Sequence, residues 1–175
     1  PHHHLSAAGA RNGVLARRLV EQGVRFVQRF NGAYQTGGEG VSNWDGHKVL
    51  KEQYSKHGPG LDQPVAALIH DLRQRGLLDK TWIVVGTEFG RTPWRQHNNT
   101  TPGRNHWNHA FTCLLAGAGV RGGMTYGTTD QWGAEIVQDP VHTHDFHATI
   151  LHNLGLATTQ RTNRHGGRAS RFTGV

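Results

Sequence analysis

A short and wholly apolar run, Trp82–Val85, constrains the fold of this chain more than any other feature of its sequence. The run is rich in β-branched residues and too short for a helix, which is typical of a strand buried on both faces. The polar segment Glu88–Pro93 follows it. Such charged groups cost free energy at a buried strand end unless a ligand binds there, and open α/β sheets bind ligands at the carboxyl ends of strands. A surface turn joining Glu88 and Arg91 explains these residues equally well.

The order helix, glycine, strand occurs twice and predicts an α/β domain with a mostly parallel sheet flanked by helices. A glycine separates the helix predicted over Ala10–Gln22 from a strand over Val24–Phe30. Another glycine ends the helix predicted over Leu61–Arg75, which precedes the Trp82 strand. Three further elements are predicted: a helix over Val49–His57 that ends at Gly58-Pro59-Gly60, a buried strand over Phe111–Ala116 and a helix over His147–Leu154.

Asp45 and His47 are candidate ligands of one cation, because the glycine between them lets the chain bend so that both side chains converge. Carboxylate oxygen together with imidazole nitrogen suits zinc, manganese or iron. An Asx turn that opens the next helix is the simpler interpretation of an isolated Asp-x-His. His106 lies in a long polar loop, Arg95–Asn108, and loops of this length are usually functional or disordered. That loop could fold over the other two residues.

The approach to the last predicted helix is a further candidate. His142 and His144 have a spacing suited to a metal. Entry into the helix explains them at least as well, with Asp145 as the N-cap.

The charge balance favours metal or phosphate chemistry over nucleic-acid binding. Lys and Arg number 19 against 12 Asp and Glu, which gives a net charge of +7. These basic residues are scattered, and no recognised nucleic-acid motif accompanies them. The 14 histidines outnumber the acids, and histidine is the commonest metal ligand. No apolar stretch approaches the ~20 residues of a transmembrane helix, so no membrane span is predicted.

Several motifs occur in order along the chain. They are the segment 15–27, Trp44-Asp45-x-His47, Asp62-Gln63-Pro64, Glu88-Phe-Gly-Arg-Thr-Pro93, Gly103-Arg-x-His106-Trp107 and His142-x-His-Asp-x-His-Ala-Thr-Ile-Leu-His152. From about Arg11 to Gly167, the chain resembles in these motifs an exported bacterial group, domain-of-unknown-function family 1501. That family in turn resembles the alkaline phosphatase and sulfatase superfamily, which implies an alkaline-phosphatase-like fold and a periplasmic or secreted protein.

The resemblance assigns roles to individual residues. Asp45 and His47 match the Asp and His of one metal site, Glu88 stands where the superfamily has an acidic ligand, and His106 matches the last metal histidine. The implied cofactor is a divalent metal, zinc, manganese or iron. The superfamily's anionic substrates make Arg91 and Arg104 candidate contacts, because a planar guanidinium suits phosphate and sulfate oxygens.

Two departures from the family pattern are evident, one at position 105 and the other in the tail 164–170, which is looser than the family pattern. Asn105 stands where the family usually carries Asp, which would weaken the site by one charge if that acid supports a ligand. In members of the superfamily, the nucleophile lies in an N-terminal half of the chain. Nothing before Asn12 in this sequence matches that half. We therefore expect an incomplete, C-terminal part of the fold. Its parts would be a tail or truncated start (1–10), the α/β domain (11–159) and a basic surface tail (160–175).

The function expected from the resemblance is metal-dependent hydrolysis of phosphate or sulfate esters, by a chain that is inactive alone if its nucleophile segment is missing. The substrate would be an anionic small-molecule or polysaccharide ester, and the basic charge would favour its approach. One alternative is a non-catalytic module that binds sulfated or phosphorylated ligands in the same pocket. The other is a basic nucleic-acid binder, whose affinity would fall steeply with salt and ignore chelators.

Overall fold

A computed structural model describes residues 3–32, 44–96, 103–156, 162–165 and 168–171, with side chains in the ranges 8–32, 44–96 and 103–156. The chain forms two compact units, Pro1–Gly122 and Gly123–Val175. Helices and strands are both present, so the mixed α and β character predicted from the sequence is confirmed.

Two long helices, α1 (His3–Glu21) and α2 (Leu50–Gln74), pack together and form the largest element contact of the first unit. The buried positions of α2 recur mostly at intervals of three and four residues, which places them on one helical face. They are Leu50, Gln53, His57, Gly60, Pro64 and Leu72. At Gly9 of α1 an added Cβ would lie 2.6 Å from Pro64 Cγ, so the two helices approach too closely there for any side chain.

The helix break predicted at Gly58-Pro59-Gly60 is wrong, because α2 continues through Pro59 and Pro64. Proline inside a helix removes a backbone donor and usually kinks or ends the helix. Here the buried face includes both Gly60 and Pro64, which lie close to Gly9 of α1. Packing between the helices therefore outweighs the local preference for a break.

The strands of the first unit pair antiparallel, contrary to the mostly parallel sheet expected. After a short 3-10 helix, β1 (Trp82–Val85) pairs with β4 (Leu114–Gly117), and β2 (Gly90–Arg91) pairs with β3 (His106–Trp107). A parallel pair needs a long crossover, usually a helix. In its described part, the chain between β1 and β4 contains the β2–β3 pair and loops instead, so it returns beside β1 in the opposite direction.

The strand predicted over Val24–Phe30 is also not formed, because this segment follows α1 without regular structure. Phe26 and Phe30 are each 66% exposed, so these apolar side chains do not pack against a sheet. Alternation of side chains is a property of strands, but a strand also needs a partner for its backbone groups.

The second unit contains one helix and two strand pairs among its described residues. Along the chain, β5 (Thr128–Thr129) pairs antiparallel with β6 (Ile136–Gln138), and helix α3 (Thr143–Asn153) follows. After α3, β7 (Thr162–His165) pairs antiparallel with β8 (Arg168–Arg171). The predicted helix therefore begins four residues earlier than expected, and the expected Asp145 N-cap is wrong. His142 is the N-cap, and its Nδ1 accepts from the His144 N–H at 3.2 Å.

No helix in the described ranges is long and apolar enough to cross a bilayer.

Candidate metal centre

Three side chains of the first unit, Asp45, His47 and His106, bring one possible ligand atom each to within 4.8 Å of one another. Asp45 Oδ1 lies 3.0 Å from His47 Nε2 and 2.8 Å from His106 Nε2. The two imidazole rings are 4.7 Å apart, centroid to centroid. Because Asp45 and His106 are 61 residues apart in the chain, the tertiary fold creates this cluster.

His106 is positioned by the β2–β3 pair, in which it lies opposite Arg91. The Phe89 ring packs against its imidazole at 4.2 Å between centroids. The His106 main-chain N–H donates to the Asn105 side-chain oxygen at 2.8 Å. Backbone pairing and ring packing together restrict the rotamers that His106 can adopt.

Two glycines allow the Asp45–His47 segment to lie against its neighbours. A Cβ added to Gly46 would overlap the Gln53 side chain, and one added to Gly103 would overlap the carbonyl oxygen of His47. The Trp44 indole N–H donates to Asn31 Oδ1 at 2.9 Å, which fixes the chain just before Asp45. Close backbone contact therefore determines where the two candidate ligands lie.

Asp45 carries negative charge in this cluster. The hydrogen bond with His106 is the largest cause that lowers the pKa of its carboxyl, and His47 lowers it further by a hydrogen bond and by charge, against an opposing effect of desolvation. The Asp45 side chain is 58% exposed and that of His106 is 40% exposed. The cluster is thus an ionised carboxylate and two imidazoles on a face open to solvent.

The two arginines predicted to contact an anion both bind main-chain carbonyls. Arg91 donates from Nη2 to the Trp44 oxygen at 2.7 Å and from Nη1 to the Arg104 oxygen at 3.3 Å. The same Nη2 lies 3.8 Å from Asp45 Oδ1. Arg104 Nη1 donates to the Thr92 oxygen at 2.7 Å. Arg91 therefore lies beside the cluster.

Glu88, the fourth predicted metal ligand, is not part of the converging group. Its exposed carboxylate accepts from the Thr87 hydroxyl at 2.9 Å. In the second unit, the described residues that include His142 and His144 form no group able to hold a metal.

Gln96 is a site residue that the motifs did not identify. Its side-chain oxygen lies 3.1 Å from His47 Nδ1. The only signal in the sequence is its place in the polar loop that begins at Arg95, and it lies 49 residues from His47 in the chain.

Residues 2–174 match the family described as "Protein of unknown function (DUF1501)". The chain belongs to the DUF1501 family. Neither the curated proteins nor the solved structures give a match.

In this DUF1501 protein, Asn105 replaces the acid expected before the last histidine. Its Oδ1 accepts from the main-chain N–H of His106 at 2.8 Å, and its own N–H donates to Thr92 Oγ1 at 3.1 Å. An amide oxygen and a carboxylate oxygen can both accept such a bond. The uncharged amide of Asn105 therefore supplies an acceptor that holds the backbone of His106.

The donor set of the DUF1501 cluster fits a divalent transition metal. One carboxylate oxygen and two imidazole nitrogens suit zinc, manganese or iron. Three protein ligands are typical of catalytic sites, because they leave a coordination position open, whereas structural zinc sites are closed by four. The solvent-exposed face at Asp45 and His106 is consistent with such an open position.

Proposed function

We propose that this chain holds a divalent metal, zinc, manganese or iron, at Asp45, His47 and His106 and serves the hydrolysis of phosphate or sulfate esters. The observation that carries the proposal is the convergence of the three ligand atoms within 4.8 Å, produced by segments far apart in the sequence. The motif resemblance to the alkaline phosphatase and sulfatase superfamily supplies the ester class and the alkaline-phosphatase-like fold.

Each ligand has a defined part in this proposal. Asp45 supplies negative charge, and its lowered pKa keeps the carboxylate ionised and ready to bind a cation. His47 and His106 each direct Nε2 at the same carboxylate oxygen. A bound metal would stabilise negative charge on the group being transferred.

Glu88 is a proposed further ligand. It precedes Phe89, whose ring packs on His106. Its carboxylate is exposed and held by a neutral hydroxyl rather than by a cation.

The substrate is proposed to be an anionic small-molecule or polysaccharide ester. The net charge of +7 favours the approach of anions. Arg91 lies with its guanidinium 3.8 Å from Asp45, so its positive charge would add to the attraction at the site.

Metal binding tests the proposal directly. Zinc and manganese affinities are measured by calorimetry for the unmodified chain, His47→Ala, His106→Ala and the control His152→Ala, which removes an exposed imidazole of α3. Loss of an outer hydrogen-bond partner lowers metal affinity by about 10- to 100-fold. Loss of a ligand itself should lower the affinity by more than that. Unchanged affinity in both ligand variants would contradict the metal centre.

Turnover then separates the hydrolase from its alternatives. Release of product from an aryl phosphate or aryl sulfate in the presence of the metal supports hydrolysis. Metal binding together with retention of a sulfated polysaccharide, but no turnover, supports the non-catalytic module. Nucleic-acid affinity that falls with salt and ignores chelator supports the third class.

A further inference from the structure

We propose that Gln96 is a positioning residue of the metal centre, which holds His47 so that Nε2 is the nitrogen offered to the metal. This inference rests on the proposed metal site and identifies the group that supports one of its ligands. Gln96 contacts Nδ1 of the imidazole, whereas Asp45 contacts Nε2.

The two nitrogens of His47 face different partners. Nδ1 lies 3.1 Å from Gln96 Oε1, and Nε2 lies 3.0 Å from Asp45 Oδ1. An imidazole that ligates a metal through one nitrogen carries a proton on the other, and that proton is usually given to an acceptor of the protein. Gln96 Oε1 is such an acceptor. When a metal replaces the proton of Nε2 that is shared with Asp45, a proton held on Nδ1 by Gln96 would leave Nε2 as the nitrogen that binds it.

Gln96 is itself held in place by the backbone that supports His47. Its main-chain N–H donates to the Gly103 oxygen at 2.9 Å. Gly103 in turn lies so close to the His47 carbonyl that a Cβ there would overlap it. The main chain of Gln96 and the glycine that contacts the His47 backbone are therefore joined by a hydrogen bond. This bond fixes the backbone position from which the Gln96 side chain reaches His47.

The chemistry of the acceptor gives the inference a specific signature. A methionine of similar length cannot accept a strong hydrogen bond from an imidazole N–H. A glutamate keeps the acceptor and adds a charge, which raises the basicity of the histidine ligand. If Gln96 acts as an acceptor, the Gln96→Glu variant should bind zinc at least as tightly as the unmodified chain. The Gln96→Met variant should bind zinc more weakly than both. A role in packing alone would not produce that order.

The experiment measures zinc affinity by competition with a chelator for the unmodified chain, Gln96→Met, Gln96→Glu and the control Gln63→Met, an exposed position of α2. We expect Gln96→Met to weaken binding by about 10- to 100-fold. Gln96→Glu should match or exceed the unmodified chain, and Gln63→Met should leave the affinity unchanged. In imidazole nitrogen-15 spectra of the zinc-loaded chain, the Nδ1 proton of His47 should exchange slowly with water except in Gln96→Met.

Each outcome has a separate meaning. Equal zinc affinity of Gln96→Met and the unmodified chain overturns the role of Gln96, and so does a Gln96→Glu variant that binds more weakly than the unmodified chain. If Gln96→Met does not fold, the zinc affinity of Gln96→Glu compared with that of the unmodified chain still tests the role of Gln96. An unmodified chain that binds no zinc overturns the metal centre itself, and this inference with it.

Discussion

Arg91 donates from Nη2 to the main-chain oxygen of Trp44 at 2.7 Å, and this bond joins strand β2 to the segment that carries Asp45. Its side chain is 16% exposed, so the bond is largely shielded from water. The same strand pairs with β3 and places His106. Arg91 thus connects the two segments of the chain from which the candidate ligands come.

Replacing Arg91 by methionine should loosen the metal centre and destabilise the first unit. The Trp44 oxygen would lose a charged donor in a largely shielded position, which costs about 1–3 kcal/mol in the free energy of unfolding. Zinc affinity should fall about 10-fold, because Asp45 would lose its support. Urea unfolding and calorimetry measure the two effects, with Arg73→Met, on the exposed surface of α2, as the control. Zinc affinity that survives in Arg91→Met would show that Asp45 does not depend on this bond.

Gly103→Ala should displace His47. The added methyl group would overlap the His47 carbonyl oxygen, and rigid backbone on both sides cannot yield as a flexible side chain would. Overpacking of this kind costs about 1–3 kcal/mol of stability. We expect zinc affinity to fall as well, since the imidazole moves with its backbone.

The matched control for that substitution is Gly122→Ala, where an added Cβ would meet nothing within 4 Å. Thermal unfolding and zinc calorimetry of both variants separate a general effect of alanine from the local overlap. Equal zinc affinities for the two variants would count against the close approach at His47.

The candidate site was more predictable than the fold around it. Chemical type and motif context indicate Asp45, His47, Glu88 and His106 as candidate ligands, and the structure brings together all of these except Glu88. The sequence does not indicate Gln96, because a hydrogen bond to a residue 49 positions away produces no periodic pattern in the sequence. Residue type identifies candidate ligands, whereas the groups that hold them depend on tertiary contacts.

The errors in the fold prediction have the same origin. The sequence around Pro59 predicts a helix break. Helix α2 continues through Pro59 because the buried face of α2 packs against α1. The apolar run Trp82–Val85 forms the strand β1 as predicted, but none of its residues is buried, and the direction of its partner depends on how the chain returns at β4. Hydrophobic periodicity predicts the type of an element, and pairing direction is set by the connection between elements.

A network of charges joins α1 to α2, and we expect it to make the stability of the first unit depend on pH. Arg17, which is buried, donates from Nη1 to Glu21 at 2.6 Å, and its Nε lies 2.8 Å from Asp71 Oδ2. Arg75 Nε donates to Asp71 Oδ1 at 2.8 Å. That hydrogen bond is the largest cause that lowers the pKa of Asp71, and the positive charges of Arg75 and Arg17 lower it further.

Asp71→Asn should therefore destabilise the chain near neutral pH and have little effect in acid. A carboxyl whose pKa is lower in the folded state contributes stability above its unfolded pKa, and this contribution is lost as the pH falls through the folded pKa. We expect Tm to fall by about 2–4 °C at pH 7, and the difference should close as the pH falls below the ordinary pKa of an aspartate. Asp62→Asn, an exposed acid on the same helix, is the control and should show no such convergence. A Tm difference of Asp71→Asn that stays constant from neutral to acid pH would mean that the ionised carboxylate does not stabilise the contact between α1 and α2.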